Sequence, residues 1–105
     1  MPPPLILILE EEKHADKYLE QQLNRQGCKV VRSSRRTECR QLFEEAKPDL
    51  TIIDSGKQDV GQELKTATLL RQIDRSTPLF LIVHESSESK VIAALRAGFN
   101  DYFKR

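Results

Sequence analysis

The stretch Pro48-Asp49-Leu50-Thr51-Ile52-Ile53-Asp54-Ser55-Gly56 decides how the rest of the chain is read. Its apolar, β-rich centre ends abruptly in Asp54, Ser55 and Gly56. Open α/β sheets present their ligand chemistry where a buried strand empties into polar residues at its C-terminal end. The same residues also fit a plain strand closed by an Asx-type turn, with Asp54 as its first polar residue. A second stretch of like design favours the functional reading, because the aliphatic residues 5–9 run into Glu10, Glu11 and Glu12. Side by side, two such strands bring Asp54 close to those carboxylates.

A chain of 105 residues and 12.1 kDa is expected to be one domain around one core. Its hydrophobic share of 38% and charged share of 31%, with both signs interspersed, fit a globular protein. No run approaches the roughly 18 apolar residues of a membrane span. The Met-Pro-Pro-Pro start lacks a positive n-region, so export is not expected and the cytoplasm is the expected location. Cys28 and Cys39 read as core thiols suited to a reducing compartment, rather than as a disulfide or metal site. A formal charge of +1 exerts no general pull on nucleic acid. The basic patch of Arg32, Arg35, Arg36 and Arg40 is offset by Glu44 and Glu45, has no interleaved aromatics, and reads as a solvated face.

Outward from the opening stretch, strands alternate with helices. Residues 5–9 are uniformly aliphatic, as a parallel strand buried on both faces would be. A helix is expected over 13–25, with Ala15, Tyr18, Leu19 and Leu23 inward and Gly27 as its stop. Residues 28–32 read as an edge strand. Ser33, Ser34 and Thr37 offer caps for a second helix, which packs through Cys39, Leu42, Phe43 and Ala46 and is ended by Pro48. A third helix over 61–73 packs through Leu64, Ala67, Leu70 and Ile73, leaving Arg71 toward water. Strand 79–83 follows Pro78, and Ser86 or Ser87 caps a helix over 88–97 that packs through Val91, Ile92, Ala94 and Leu95. Gly98 stops that helix, and 99–103 is a final strand with Asp101 in its middle. This (βα)4β order implies a parallel sheet covered by helices through right-handed crossovers.

The functional edge then carries Glu10 to Lys13, Ser33, Asp54 and Ser55, His84 and Glu85, and Lys104 with Arg105. Converging carboxylates repel one another unless a cation sits among them, and oxygen ligands favour a hard ion such as magnesium. No Gly-x-Gly-x-x-Gly follows the first strand and no Gly-Lys-Ser/Thr loop occurs, which argues against dinucleotide and nucleoside-triphosphate sites. His14 and His84 read as surface histidines.

Taken in order and at this spacing, these pieces closely resemble the receiver domain of two-component response regulators. They are the aliphatic strand into Glu10-Glu11, Gly27, the 48–54 stretch, Thr77-Pro78 and Ala97-Gly98-Phe99-Asn100-Asp101-Tyr102. The resemblance covers essentially the whole chain. It implies a flavodoxin-like open sheet of five parallel strands in the order 2-1-3-4-5. The phosphoacceptor aspartate of the family falls on Asp54, its magnesium-holding acidic pair on Glu10 and Glu11, and its switching aromatic on Tyr102.

Other positions depart from the pattern. The family hydroxyl that contacts the phosphoryl group falls on Val83, and the family lysine falls on Arg105. The loop after Asp54 lacks the usual proline. These departures point to an atypical or pseudo-receiver that acts mainly through protein contacts, with weak Mg2+ binding and at most self-phosphorylation of Asp54 from a phosphodonor. The alternatives are a receiver phosphorylated at Asp54 by a histidine kinase with Mg2+, and an unrelated flavodoxin-like binding domain. The resemblance also implies a fifth helix that this sequence does not reach. The strand 5 face near Phe99, Tyr102 and the first helix is therefore expected to be covered by a partner or by self-association.

Overall fold

The computed structural model describes residues 2–10, 17–34, 36–55 and 61–104. Five strands, β1 (Leu5–Leu9), β2 (Lys29–Ser33), β3 (Leu50–Asp54), β4 (Leu79–Val83) and β5 (Asp101–Lys104), form one sheet. Its order is β2-β1-β3-β4-β5, and every neighbouring pair is parallel. Between the strands run α1 (Lys17–Arg25), α2 (Arg36–Ala46), α3 (Gly61–Ile73) and α4 (Glu88–Ala97). The sheet, its order and the four helices agree with expectation.

Burial explains the order. The aliphatic β1 and the apolar cores of β3 and β4 are buried across the middle of the sheet, while β2 and β5 lie at its edges. Leu7, Leu9, Ile53, Leu79, Leu81 and Val83 project to one face, where Cys39 and Phe43 of α2, Ala67 and Leu70 of α3, and Ala94 of α4 meet them. Ile6, Ile8 and Ile52 project to the other, packed by Leu19 and Leu23 of α1 and by Phe80 and Ile82. The start of β1 is pinned to its neighbours by the Asp49 carboxylate, which accepts from the Leu5 N–H at 2.8 Å, and by the Asp49 N–H, which donates to the Leu5 carbonyl at 2.8 Å.

Local stops work as the sequence implies. Pro48 disfavours helix at Lys47, and Lys47 leaves α2 through the left-handed region at φ 48°. Ser87 caps α4 by accepting from the Lys90 N–H at 3.3 Å, and Gly98 ends it at φ 109°. Other expectations need correction. Tyr18 is 68% exposed rather than inward. Ile92 and Leu95 of α4 are exposed too, leaving Ala94 as the buried residue of that helix.

The edge strands begin later than expected. β5 starts at Asp101 because Phe99 and Asn100 serve the connection from α4: the Phe99 N–H donates to Ala94 O at 3.1 Å and the Asn100 N–H to Leu79 O at 2.8 Å. Phe99 and Tyr102 both belong to the larger, helix-covered cluster, so they are not the open apolar surface of strand 5. That surface is Phe103, 43% exposed, which meets Phe80 edge to face with ring centroids 5.4 Å apart.

Arg71 does not face water either. Its guanidinium is half-buried and donates to the carbonyls of Gly98 (2.9 Å) and Thr77 (2.6 Å) and to Asn100 Oδ1 (2.6 Å). The same Asn100 oxygen accepts from the Leu79 N–H at 2.9 Å, so one arginine ties α3, the α4–β5 turn and the start of β4 together. A charged donor serving several carbonyls leaves them orphaned when removed. Arg71→Ala is expected to cost about 2–3 kcal/mol, read as a lower urea midpoint at unchanged slope, and Arg71→Lys to recover only part because an ammonium cannot fork.

Burial pushes the Cys39 thiol up from 9.0 to about 11. Between those values the unfolded chain sheds this proton first, so the folded state loses stability as pH rises through that window. Urea unfolding on either side of the window, with Cys39→Ala as the control that lacks the slope, checks this.

Candidate functional site

Strand register places the polar ends of β1 and β3 next to each other. Leu9 pairs with Ile53, so Glu10 and Asp54, each one residue further on, stand at neighbouring positions. Asp54 in turn lies opposite Ile82 of β4, and Val83 lies opposite Lys104 of β5. Backbone bonds extend the ladder past the strands: the Glu10 N–H donates to Ser33 O at 3.1 Å, and Ser55 donates to Ile82 O through both its N–H (3.0 Å) and its hydroxyl (3.1 Å). Ser55 thereby fastens the end of β3 to β4, a role its sequence position does not disclose.

Glu10 and Asp54 are each only 5% exposed. Carboxylates so withdrawn from water require compensating partners. For Glu10 one partner is Arg32, whose guanidinium forms an ion pair with it. Arg32 also donates to Glu20 of α1 at 3.2 Å, which places it between two carboxylates. Ile8 pairs with Arg32 in register, so the arginine rises from the sheet face that also carries Ile8. Read in sequence as part of a solvated basic patch, Arg32 instead reaches the acidic edge. Arg40, from the same patch, does make an exposed helix pair, with Glu44 at 3.2 Å.

Glu11 and Arg105, expected as a magnesium ligand and as the replacement for a lysine, lie outside the described residues, as does His14. Among the described residues no group of three or more His, Cys, Asp or Glu gathers as a metal site. Magnesium requires near-octahedral oxygen donors, and the Glu10 carboxylate is already paired with a guanidinium. The described residues therefore do not present a ready-made magnesium site.

Val83 is 1% exposed, inside the larger cluster, with Tyr102 packed against the same cluster. The Tyr102 hydroxyl donates to Glu85 O at 3.5 Å, in the loop after β4. Lys104 is exposed at the end of β5, and His84 is half-buried at the end of β4.

A five-stranded parallel sheet in this order, with a buried aspartate ending its central strand, is matched over residues 6–105 by the model of the response regulator receiver domain. The chain belongs to this family. It is 36% identical over 102 residues to the KDP operon transcriptional regulatory protein KdpE of Escherichia coli. That match takes in 95% of this chain and 44% of the relative, so the chain spans less than half of that protein's length. Among solved structures, chemotaxis protein CheY4 of Vibrio cholerae superposes with a TM-score of 0.86 at 16% identity, over 98% of this chain and 87% of that one. A putative response regulator from Chloroflexus aurantiacus gives a TM-score of 0.83 at 25% identity, over 98% and 85%.

Membership sets aside the unrelated flavodoxin-like domain. Receiver domains work in two-component signalling, interact with histidine kinases and other signalling proteins, and commonly bind Mg2+. Among the described residues no helix is long and apolar enough to cross a membrane.

Proposed function

We propose that this receiver domain signals mainly through protein contacts, and that Asp54 accepts a phosphoryl group slowly or not at all. The observation that carries this reading is Val83. Its side chain is apolar and buried at the strand end where the family resemblance calls for a hydroxyl. If the Asp54 carboxylate attacks the phosphorus of a donor, the leaving group departs with its electron pair and the new phosphoryl oxygens need hydrogen-bond donors at once. Val83 offers none, and Tyr102 loses the hydroxyl through which a phosphoryl group would reach it. Weak magnesium binding belongs to the same reading, given the ion pair that engages Glu10.

A second reading keeps Asp54 as a working phosphoacceptor for a histidine kinase. It is favoured by the position of Asp54, retained at the end of the central strand and buried next to Glu10. The two readings part on one measurement. After incubation with acetyl phosphate and magnesium, the intact mass is expected to show little or no added phosphoryl group, with Asp54→Asn as the control. Prompt, near-complete addition of one group, absent from the control, would establish the phosphoacceptor reading instead.

The chain further reads as a single receiver-like domain whose open strand 5 face takes a second copy of itself. Phe103, its edge-to-face partner Phe80 and the half-buried Ile82 supply an apolar surface on the α1 side. Sedimentation of the 105-residue chain is expected to show a dimer that weakens in Phe103→Ser. A monomer at high protein concentration would remove this part of the proposal.

A further inference from the structure

We propose that the cavity between the C-terminal ends of α2 and α3 binds a free α-amino acid with an aliphatic side chain. The site lies where β3 and β4 begin, at the opposite end of the sheet from Asp54, and is independent of any chemistry there.

The cavity has a volume of about 280 Å3, at the lower end of small-molecule sites and suited to a ligand of single-residue size. Phe43, Pro48 and Ile73 give it an apolar wall. Phe43 and Pro48 are buried, and Ile73 packs against the same core cluster as Phe43, so this wall is firmly seated. Glu44, Lys47, Asp74 and Thr77 complete the lining, so both signs of charge border one small space. Among the described residues Lys47 nevertheless makes no ion pair, although Glu44 precedes it by one helical turn and Asp74 lines the same cavity. Opposite charges thus face a common space without closing on each other.

The charged groups keep capacity for a ligand. Asp74 Oδ1 accepts from the Ser76 N–H (2.7 Å), the Ser76 hydroxyl (2.8 Å) and the Thr77 N–H (3.2 Å), whereas Oδ2 accepts from the Thr77 hydroxyl (2.7 Å). Thr77 and Ser76 hold this carboxyl below the usual carboxylate range, which makes it an anion of fixed orientation with acceptor capacity left at Oδ2. Arg40 Nε engages Oε1 of Glu44 at 3.2 Å, leaving Oε2 to accept. The last carbonyls of α2 and α3 add two negative helix ends, and α2 has no basic residue in its last turn. Arg71, in the last turn of α3, donates instead to the carbonyls of Gly98 and Thr77. An ammonium group is therefore favoured beside Asp74 and Glu44, and a carboxylate at Lys47. A simple amine would leave Lys47 unanswered, and a simple carboxylic acid would add an anion beside two others. An α-amino acid carries both charges on one carbon, and an aliphatic side chain suits the wall of Phe43, Pro48 and Ile73.

The test follows the Phe43 amide and Ile73 methyl resonances while one of three probes is titrated into the protein. The probes are L-leucine, isoamylamine, which lacks the carboxylate, and isocaproate, which lacks the ammonium. Leucine is expected to bind saturably and each analogue about tenfold more weakly, the scale of one lost charge-assisted hydrogen bond. Lys47→Gln, a change at an exposed side chain, is expected to weaken leucine to the level of isoamylamine and to leave isoamylamine unchanged. The probe series on the wild type decides the matter even if that variant fails to fold. No saturable shift with leucine, or equal binding of leucine and either analogue, overturns the inference.

Discussion

Everything in this domain hangs from the parallel pairing of three apolar strands, of which β1 and β3 are buried on both faces and β4 is buried on one and half-buried on the other. Once water is excluded, β1, β3 and β4 satisfy their backbone groups through one another and through the edge strands β2 and β5. Their registers then decide the rest: Leu9 against Ile53 fixes Glu10 beside Asp54, and Asp54 against Ile82 fixes Val83 one step beyond. A slip of one residue would turn every inward side chain to the opposite face. The position of the acidic edge is thus a by-product of core packing, and needs no polar interaction to create it.

The two edges of the sheet differ in character. At the beginnings of β4 and β5, Arg71 gathers carbonyls and an amide into a closed set of hydrogen bonds. At the strand ends, charge is concentrated and compensated by a salt bridge from a neighbouring strand. The first arrangement uses a cation to hold the fold; the second uses one to make buried acids tolerable. That both cations are arginines follows from geometry, since only a planar fork serves several oxygens at once.

Much of this was legible in the sequence where local chemistry settles the matter. α3, β4 and α4 fall on the expected residues, with Pro78, Ser87 and Gly98 marking boundaries by their own backbone preferences. Asp54 at the end of the central strand was legible for the same reason, as an apolar run stops there. What escaped depends on distant partners. Phe99 and Asn100 look like strand, yet their N–H groups are taken by Ala94 and Leu79. Tyr18 has helical spacing but is exposed to solvent rather than packed inward. Arg32 and Arg71 resemble any other charged residue until the sheet brings carboxylates or carbonyls to them. A signal did exist for Arg32: on β2 it shares the parity of Val30, which packs against the α1-side cluster.

Gly98 shows how such a fold constrains its own descent. A methyl group added there would lie 2.7 Å from Cγ of Arg71, and the backbone at φ 109° already excludes most side chains. Arg71 in turn needs the Gly98 carbonyl and Asn100, so each of the three positions is intelligible only in the presence of the others. Lineages of this domain should therefore inherit Arg71, Gly98 and Asn100 as one unit, lost together when another solution replaces it. Positions 92 and 95 on the exposed side of α4 answer to no such neighbours and are free to drift with whatever the helix meets.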